Sequence, residues 1–213
     1  MKRAGLSLLV AAFGAIHLGA AEFEYAAPVA GSYQLPVIKT APDGEVLDVS
    51  GNTLRLQELT QGRVTVLSFI YTRCADANAC PFATGVLREL HQLSAEDPTL
   101  TSGLRLISMS FDPEMDTPSR LAAYAQVART DKPAAEWRFF TTASKAKLAP
   151  ILKAYGQAVD RKKNPDDPTG PLNHTLRVLL IDREGRIRNI YSSGTLDVRL
   201  VLADVRTLLM ERT

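Results

Sequence analysis

The chain has 213 residues, with 25 basic against 23 acidic side chains, a formal net charge of +2, and 46% hydrophobic residues. So even a balance excludes an electrostatic nucleic-acid surface and a polybasic membrane-binding face. Roughly 190 residues lie beyond the N-terminal run, so one domain can bury a full core and needs no disulfide to hold it.

Met1-Lys2-Arg3 is a short basic head, followed by an uncharged apolar run from Ala4 to Ala21 and then by the acidic Glu22 and Glu24. This order reads as a secretory signal, with Gly19, Ala20 and Ala21 supplying the small residues of a cleavage site. A retained signal-anchor is the second reading, because the run is near the ~17-residue lower limit for a membrane span. No cysteine stands at its end to carry a lipid. On either reading the body of the protein is exported, periplasmic or anchored facing the periplasm. Thiols there oxidise unless they are metallated or kept reduced. Residues 22–43 read as a linker and 44–213 as the folded domain, with no further stretch apolar and long enough to cross a bilayer.

Gly44 to Leu59 reads as a small β-hairpin around Ser50-Gly51-Asn52. Val64 to Ile70 has a buried-strand pattern and runs straight into Tyr71-Thr72-Arg73-Cys74-Ala75-Asp76-Ala77-Asn78-Ala79-Cys80-Pro81, where a helix begins. Leu104 to Ser110 is a second strand. Thr117-Pro118 then opens a helix to about Ala128, Thr as N-cap and Pro at the first helical position. Trp137 to Phe140 is a short strand, and Ser144 caps a helix to about Tyr155. The charges, prolines and glycine of Asp160 to Pro171 predict an exposed connection, its Arg161-Lys162-Lys163 run solvated. Leu176 to Ile181 is strongly apolar, and Asp182-Arg183-Glu184-Gly185 turns it into Ile187 to Tyr191 as a hairpin. The chain closes on an amphipathic helix with Val198, Val201, Leu202, Val205, Leu208 and Leu209 on one face. This order describes an α/β protein, a thioredoxin-like sheet flanked by helices on both faces, with an N-terminal β-hairpin extension.

Cys74 and Cys80 are the only cysteines. Were residues 74–80 helical, the two Cα atoms would be separated by a rise of ~9 Å and point ~120° apart. A disulfide needs them within ~7 Å. For the sulfurs to meet, the segment must fold back as a loop, and Asp76 and Asn78 suit such turns. Cys80 falls near the helix N-cap, where free amides and the helix dipole predict a depressed thiol pKa. The pair could lock the loop, exchange electrons or hold a soft metal. A bridge over so few residues removes little chain entropy, which weakens the first use.

Of three histidines, His17 lies in the signal and His91 at the edge of an apolar helix face made by Phe82, Val86, Leu90 and Leu93. His174, in Gly170-Pro171-Leu172-Asn173-His174-Thr175, stands just before a buried strand. In a thioredoxin-like topology that position lies beside the first strand–helix loop, where a redox thioredoxin carries a cis-proline. Two thiolates and one imidazole suit copper, since soft sulfur selects Cu(I) and three ligands leave room for transfer. Zinc would want a fourth ligand. Asn173-His174-Thr175 also matches a glycosylation sequon, but a glycan there would obstruct the site.

With these residues in hand, the sequence from about Gly44 to Leu209 resembles the Sco/SenC copper chaperones of respiratory oxidase assembly. The likeness rests on Phe69-Ile70-Tyr71-Thr72-Arg73-Cys74 leading to Cys80-Pro81, on Ser108-Met109-Ser110-Phe111-Asp112-Pro113-Glu114-Met115-Asp116-Thr117-Pro118, and on Asn173-His174-Thr175 ahead of an apolar strand. The resemblance implies ligation of copper, as Cu(I) or Cu(II), by Cys74, Cys80 and His174, and a copper-receiving partner such as an oxidase subunit. Asp112 and Asp116 are expected to bond backbone rather than react. Family members usually place three residues between the cysteines, whereas this chain places five. Ring closure over two more residues costs only a few tenths of a kcal/mol, but it loosens the loop. A thiol–disulfide oxidoreductase acting through Cys74 and Cys80 on a partner's cysteines therefore stands as the alternative, and an inert exported domain with a structural disulfide as the third reading. A peroxidase motif is missing, because Tyr71 stands where a Thr or Ser would be needed three residues before Cys74.

Overall fold

The structure, a computed structural model, describes residues 25–211. The signal or anchor expected over residues 1–21, and His17 within it, lie outside the described residues. In chain order the elements are β1 (Lys39–Thr40), β2 (Glu45–Asp48), β3 (Thr53–Arg55), α1 (Leu56–Leu59), β4 (Val64–Ile70), α2 (Cys80–Ser94), α3 (Pro98–Gly103) and β5 (Leu104–Ser110). Next come α4 (Pro118–Tyr124), β6 (Glu136–Thr141), α5 (Lys145–Tyr155), β7 (Val159–Arg161), β8 (Leu172–His174), β9 (Val178–Ile181), β10 (Arg186–Tyr191) and α6 (Val198–Met210).

Eight strands form one sheet in the order β1-β10-β9-β4-β5-β6-β2-β3. β4, β5 and β6 are parallel, and β9 runs antiparallel to β4. β4 is buried along its whole length, as a central strand covered on both faces must be. Its period-2 side chains divide the core. Val64 and Val66 face a cluster with Leu87 and Leu90 of α2, Leu100 of α3 and Val201, Val205 and Leu208 of α6. Leu67 and Phe69 face the opposite cluster, with Leu56 of α1 and Leu148, Ile151 and Tyr155 of α5. Helices therefore cover both faces, as in thioredoxin-like proteins. β2 and β3 pair antiparallel, and β2 also pairs with β6, so these two strands form one edge of the main sheet.

The caps reflect local chemistry. Thr117 and Ser144 accept amides of the first turns of α4 and α5 through their side chains. The helix opened by Thr117 is α-helical only to Tyr124 and tightens to a 3-10 turn over Ala125–Ala128. His91 is buried at 6% exposure, its ring 5.6 Å from that of Trp137. No helix among the described residues is long and apolar enough to cross a membrane.

Candidate metal centre

β4 and β5 end side by side, and the loops leaving their C-terminal ends build the site. After Ile70 the chain turns through a Tyr71 carbonyl–Cys74 amide bond of 3.2 Å, then through an Asp76 carbonyl–Ala79 amide bond of 3.0 Å. Asp76 Oδ1 accepts the Asn78 amide at 3.0 Å, the turn chemistry these residue types favour. The loop thus folds back, and Cys80 becomes the first residue of α2, with Pro81 next to it.

The segment after β5 tethers this loop. The buried Asp116 carboxylate accepts the Thr72 amide at 3.0 Å, the Thr72 hydroxyl at 2.5 Å and the Ser110 hydroxyl at 2.6 Å. Asp112 pairs with Arg73 at 3.0 Å, and its carbonyl accepts the amides of Met115 and Asp116. Both acids therefore bond backbone or a loop side chain. The Asp-Pro and Asp-Thr-Pro motif is a clamp on the residues just ahead of Cys74.

His174 arrives from the other side of the site, in the two-stranded β7–β8 ribbon. Its Nε2 lies 3.3 Å from Cys80 Sγ and 3.8 Å from Cys74 Sγ. Its Nδ1 faces the Leu172 carbonyl at 3.4 Å, which leaves Nε2 free to act as a donor atom. Tyr71 meets the imidazole edge-on at 5.4 Å and Phe111 packs against it tilted at 5.1 Å, and together they fix the ring plane. Gln157 donates to the Thr175 carbonyl at 2.8 Å and holds the backbone next to the histidine. The structure thus brings Cys74, Cys80 and His174 together, and leaves His91 in the core.

The connection expected to be merely exposed is part of the site. The Thr169 carbonyl accepts the Ala75 amide at 3.2 Å and the Tyr71 hydroxyl at 3.3 Å. Gly170 packs against the same loop with φ +101°, and a Cβ there would stand 2.2 Å from the Tyr71 hydroxyl. Lys162, expected to be solvated, turns inward to Asp167 at 2.9 Å, while Arg161 and Lys163 remain exposed. Composition does not encode these docking contacts. A glycine at a loop end is the one available sign.

The two thiols differ. Cys74 is half-buried and Cys80 is buried. The Cys80 S–H donates to Cys74 and holds that thiol down to about 4, assisted by His174 and opposed by burial. Donating to Cys74 and being buried both push Cys80 up. This reverses the expectation for Cys80: partner and burial outweigh the helix N-terminus, so the thiolate belongs to Cys74. The Tyr71 hydroxyl is pushed up to about 12, chiefly by burial and then by the neighbouring Cys74 charge.

A cavity of about 350 Å³ opens onto both sulfurs beside Tyr71, Thr84 and Tyr124. A larger groove of about 510 Å³ lies behind Arg73 and Leu172, against α5, and reaches neither sulfur. The spacing of the donor set fits a metal. An ion at ~2.3 Å from each sulfur and ~2.0 Å from a ring nitrogen needs donors roughly 3.7–4.0 Å apart. The three donor atoms all lie within 4.8 Å of one another, so a small adjustment would admit one ion. Two sulfurs and one imidazole are a soft set, which suits copper in its lower oxidation state better than a hard cation.

Comparison with known proteins agrees with this architecture. A SCO1 protein homolog of Bacillus subtilis (strain 168) is 27% identical over 143 residues, 67% of this chain and 68% of the relative. Bradyrhizobium japonicum ScoI, solved with copper bound, superposes with a TM-score of 0.63 at 21% identity over 79% of this chain and 99% of that one. BsSco, described as a member of the Sco family of cytochrome c oxidase assembly proteins with a disulfide switch, gives 0.64 at 21% identity over 84% and 100%. The SCO1/SenC family model matches residues 39–210, the span that holds the whole sheet, the cysteine loop and its histidine. The chain belongs to the SCO1/SenC family.

Proposed function

We propose that this protein binds copper through Cys74, Cys80 and His174 and delivers it to a respiratory oxidase subunit or another exported cuproprotein. The observation that carries the reading is the placement of His174 Nε2 at 3.3 and 3.8 Å from the two sulfurs, on a separate ribbon of the fold. Copper here is cargo. Three donors, with Cys74 and His174 half-buried and only Cys80 buried, leave an incoming ligand room to join before the first ones leave. The copper-bound ScoI neighbour and the oxidase-assembly description of BsSco support the choice of metal and acceptor. The domain over residues 44–213 works outside the cytosol, held by residues 4–21 where that apolar run is retained.

The test is anaerobic Cu(I) titration of the reduced protein beside Cys74→Ala and His174→Ala. One tightly held ion per wild-type chain, and weaker retention in both variants, is the expected result. Equal retention by all three proteins would overturn the reading.

The asymmetry of the thiols favours a second reading, thiol–disulfide exchange. The Cys74 thiolate would attack a partner disulfide and release one partner thiolate. Cys80 would then attack the mixed disulfide, releasing the second thiol and leaving Cys74 and Cys80 oxidised. This activity needs no metal and should survive His174→Ala.

A further inference from the structure

The residues ahead of the sheet are bound along α6 as a strap. Tyr25 donates its hydroxyl to Asp197 Oδ2 at 3.0 Å, with the Arg199 guanidinium 5.4 Å over its ring. Gly31 donates its amide to Thr207 Oγ1 at 3.0 Å, and Tyr33 its hydroxyl to Asp204 Oδ1 at 2.5 Å. Arg188 then donates to the Leu35 carbonyl at 2.9 Å. Asp204 is 1% exposed and also accepts Tyr191 at 2.6 Å and Asn189 at 2.8 Å, so the strap is pinned at a buried carboxylate. The strap lies along α6 and begins at Asp197, the N-cap of that helix.

That N-cap lies at the cysteine end of the molecule. Ser68, near the end of β4, pairs with Val178, and Val178 pairs with Tyr191 at the end of β10. The chain therefore leaves the sheet at the end where the cysteine loop leaves it, and α6 starts there. The opposite end of α6 meets the opposite end of the sheet: Leu209 packs on Gly103, just before β5 begins, and Arg206 pairs with Asp97. Whatever precedes Tyr25 thus joins the domain on the side of the candidate metal centre.

Only residues 22–24 separate Tyr25 from the apolar run of residues 4–21. Even fully extended they reach ~14 Å. The far end of the sheet stands a further strand length away, ~20 Å for a seven-residue strand. We infer that the protein is carried with its Cys74–Cys80–His174 end turned towards the bilayer. The inference rests on the retained anchor of the proposed function, and it adds an orientation that the anchor alone does not set.

The test uses the full chain in lipid vesicles, with a photo-crosslinking phenylalanine analogue placed at Ser193 or Asn78, exposed at the cysteine end, or at Gln61, exposed at the far end. A second form carries ~20 flexible Gly/Ser residues between Glu24 and Tyr25, adding roughly 25 Å of reach. Lipid adducts several-fold more abundant at Ser193 and Asn78 than at Gln61, with the difference lost on linker insertion, are expected. A chain that floats with the vesicles but crosslinks evenly, or more at Gln61, overturns the orientation and leaves the anchor standing. A difference that survives the insertion also overturns it, since the strap would not be its cause. A chain that does not float removes the anchor and the inference together.

Discussion

Asp116 holds Thr72 at two points, accepting its amide at 3.0 Å and its hydroxyl at 2.5 Å, and so fixes the backbone two residues before Cys74. Removing this carboxylate strands the part-buried amide and hydroxyl of Thr72 and the buried hydroxyl of Ser110. Asp116→Ala should therefore lower stability by about 2–3 kcal/mol and weaken copper retention beyond what that loss explains. Asp112→Ala removes a bridge whose Arg73 side chain is 37% exposed, so its effect should stay under ~1 kcal/mol. Urea midpoints and competition with a Cu(I) chelator measure both. Equal losses in the two variants would show that Asp116 is no tether.

Gly170 offers a cleaner probe of the ribbon that carries His174. Gly170 and Gly51 both adopt positive φ, +101° and +84°, but only at Gly170 would a Cβ strike the cysteine loop, within 2.2 Å of the Tyr71 hydroxyl and 2.8 Å of the Arg73 carbonyl. Gly51→Ala should lose only the ~1 kcal/mol of a strained backbone. Gly170→Ala should lose more and should also reduce copper affinity, because the ribbon must lift away from Tyr71. Copper affinity unchanged in Gly170→Ala would mean that His174 is placed independently of this contact.

Thiol reactivity should expose the inequality of the cysteines. In the reduced, metal-free protein, iodoacetamide should modify Cys74 well before the buried Cys80. The Cys74 thiol is held at about 4, so its thiolate population stays nearly full from pH 8 down to about pH 5, and the alkylation rate should be flat there. An ordinary thiol would slow tenfold per pH unit below about 8.5. Peptide mapping after partial alkylation separates the two sites. Preferential labelling of Cys80 would reverse the assignment.

How far each feature is legible in the sequence depends on how locally it is specified. Val64–Ile70 and Leu104–Ser110 declare themselves through their dense apolar residues, and Thr117 and Ser144 through cap chemistry that involves only their own first turns. The fold-back of the cysteine loop is also legible, because Asp76 bonds within three residues. The partnership of His174 with both sulfurs spans about a hundred positions, and only the topology makes it inferable. The docking of Thr169 and Gly170 on Tyr71 and Ala75 has no such guide. A stretch of charges and prolines looks the same whether solvent or another loop covers it. The thiol order escapes the sequence for a related reason: helix position is local, whereas the burial of Cys80 depends on the whole fold.

The pH dependence of stability should fall into two separate limbs. Burial holds the His91 imidazole below its ordinary range, only partly offset by a backbone hydrogen bond at Ala135. Its folded pKa is depressed, so the unfolded chain binds the proton first, and stability is lost as pH falls below about 6.5 towards the folded value. Asp182 is also depressed: burial raises it, but the Arg186 backbone and the Arg188 and Arg186 side chains together outweigh burial. Its contribution is full above about pH 4 and is lost on further acidification. Denaturant midpoints of the wild type should therefore decline first below pH 6.5 and again below pH 4. His91→Gln should flatten the first limb and leave the second, while Asp182→Asn should leave the first and only reduce the second, which Asp167, Asp197 and other depressed carboxylates share. A first limb that persists in His91→Gln would assign it to another group and leave His91 a neutral packing partner of Trp137.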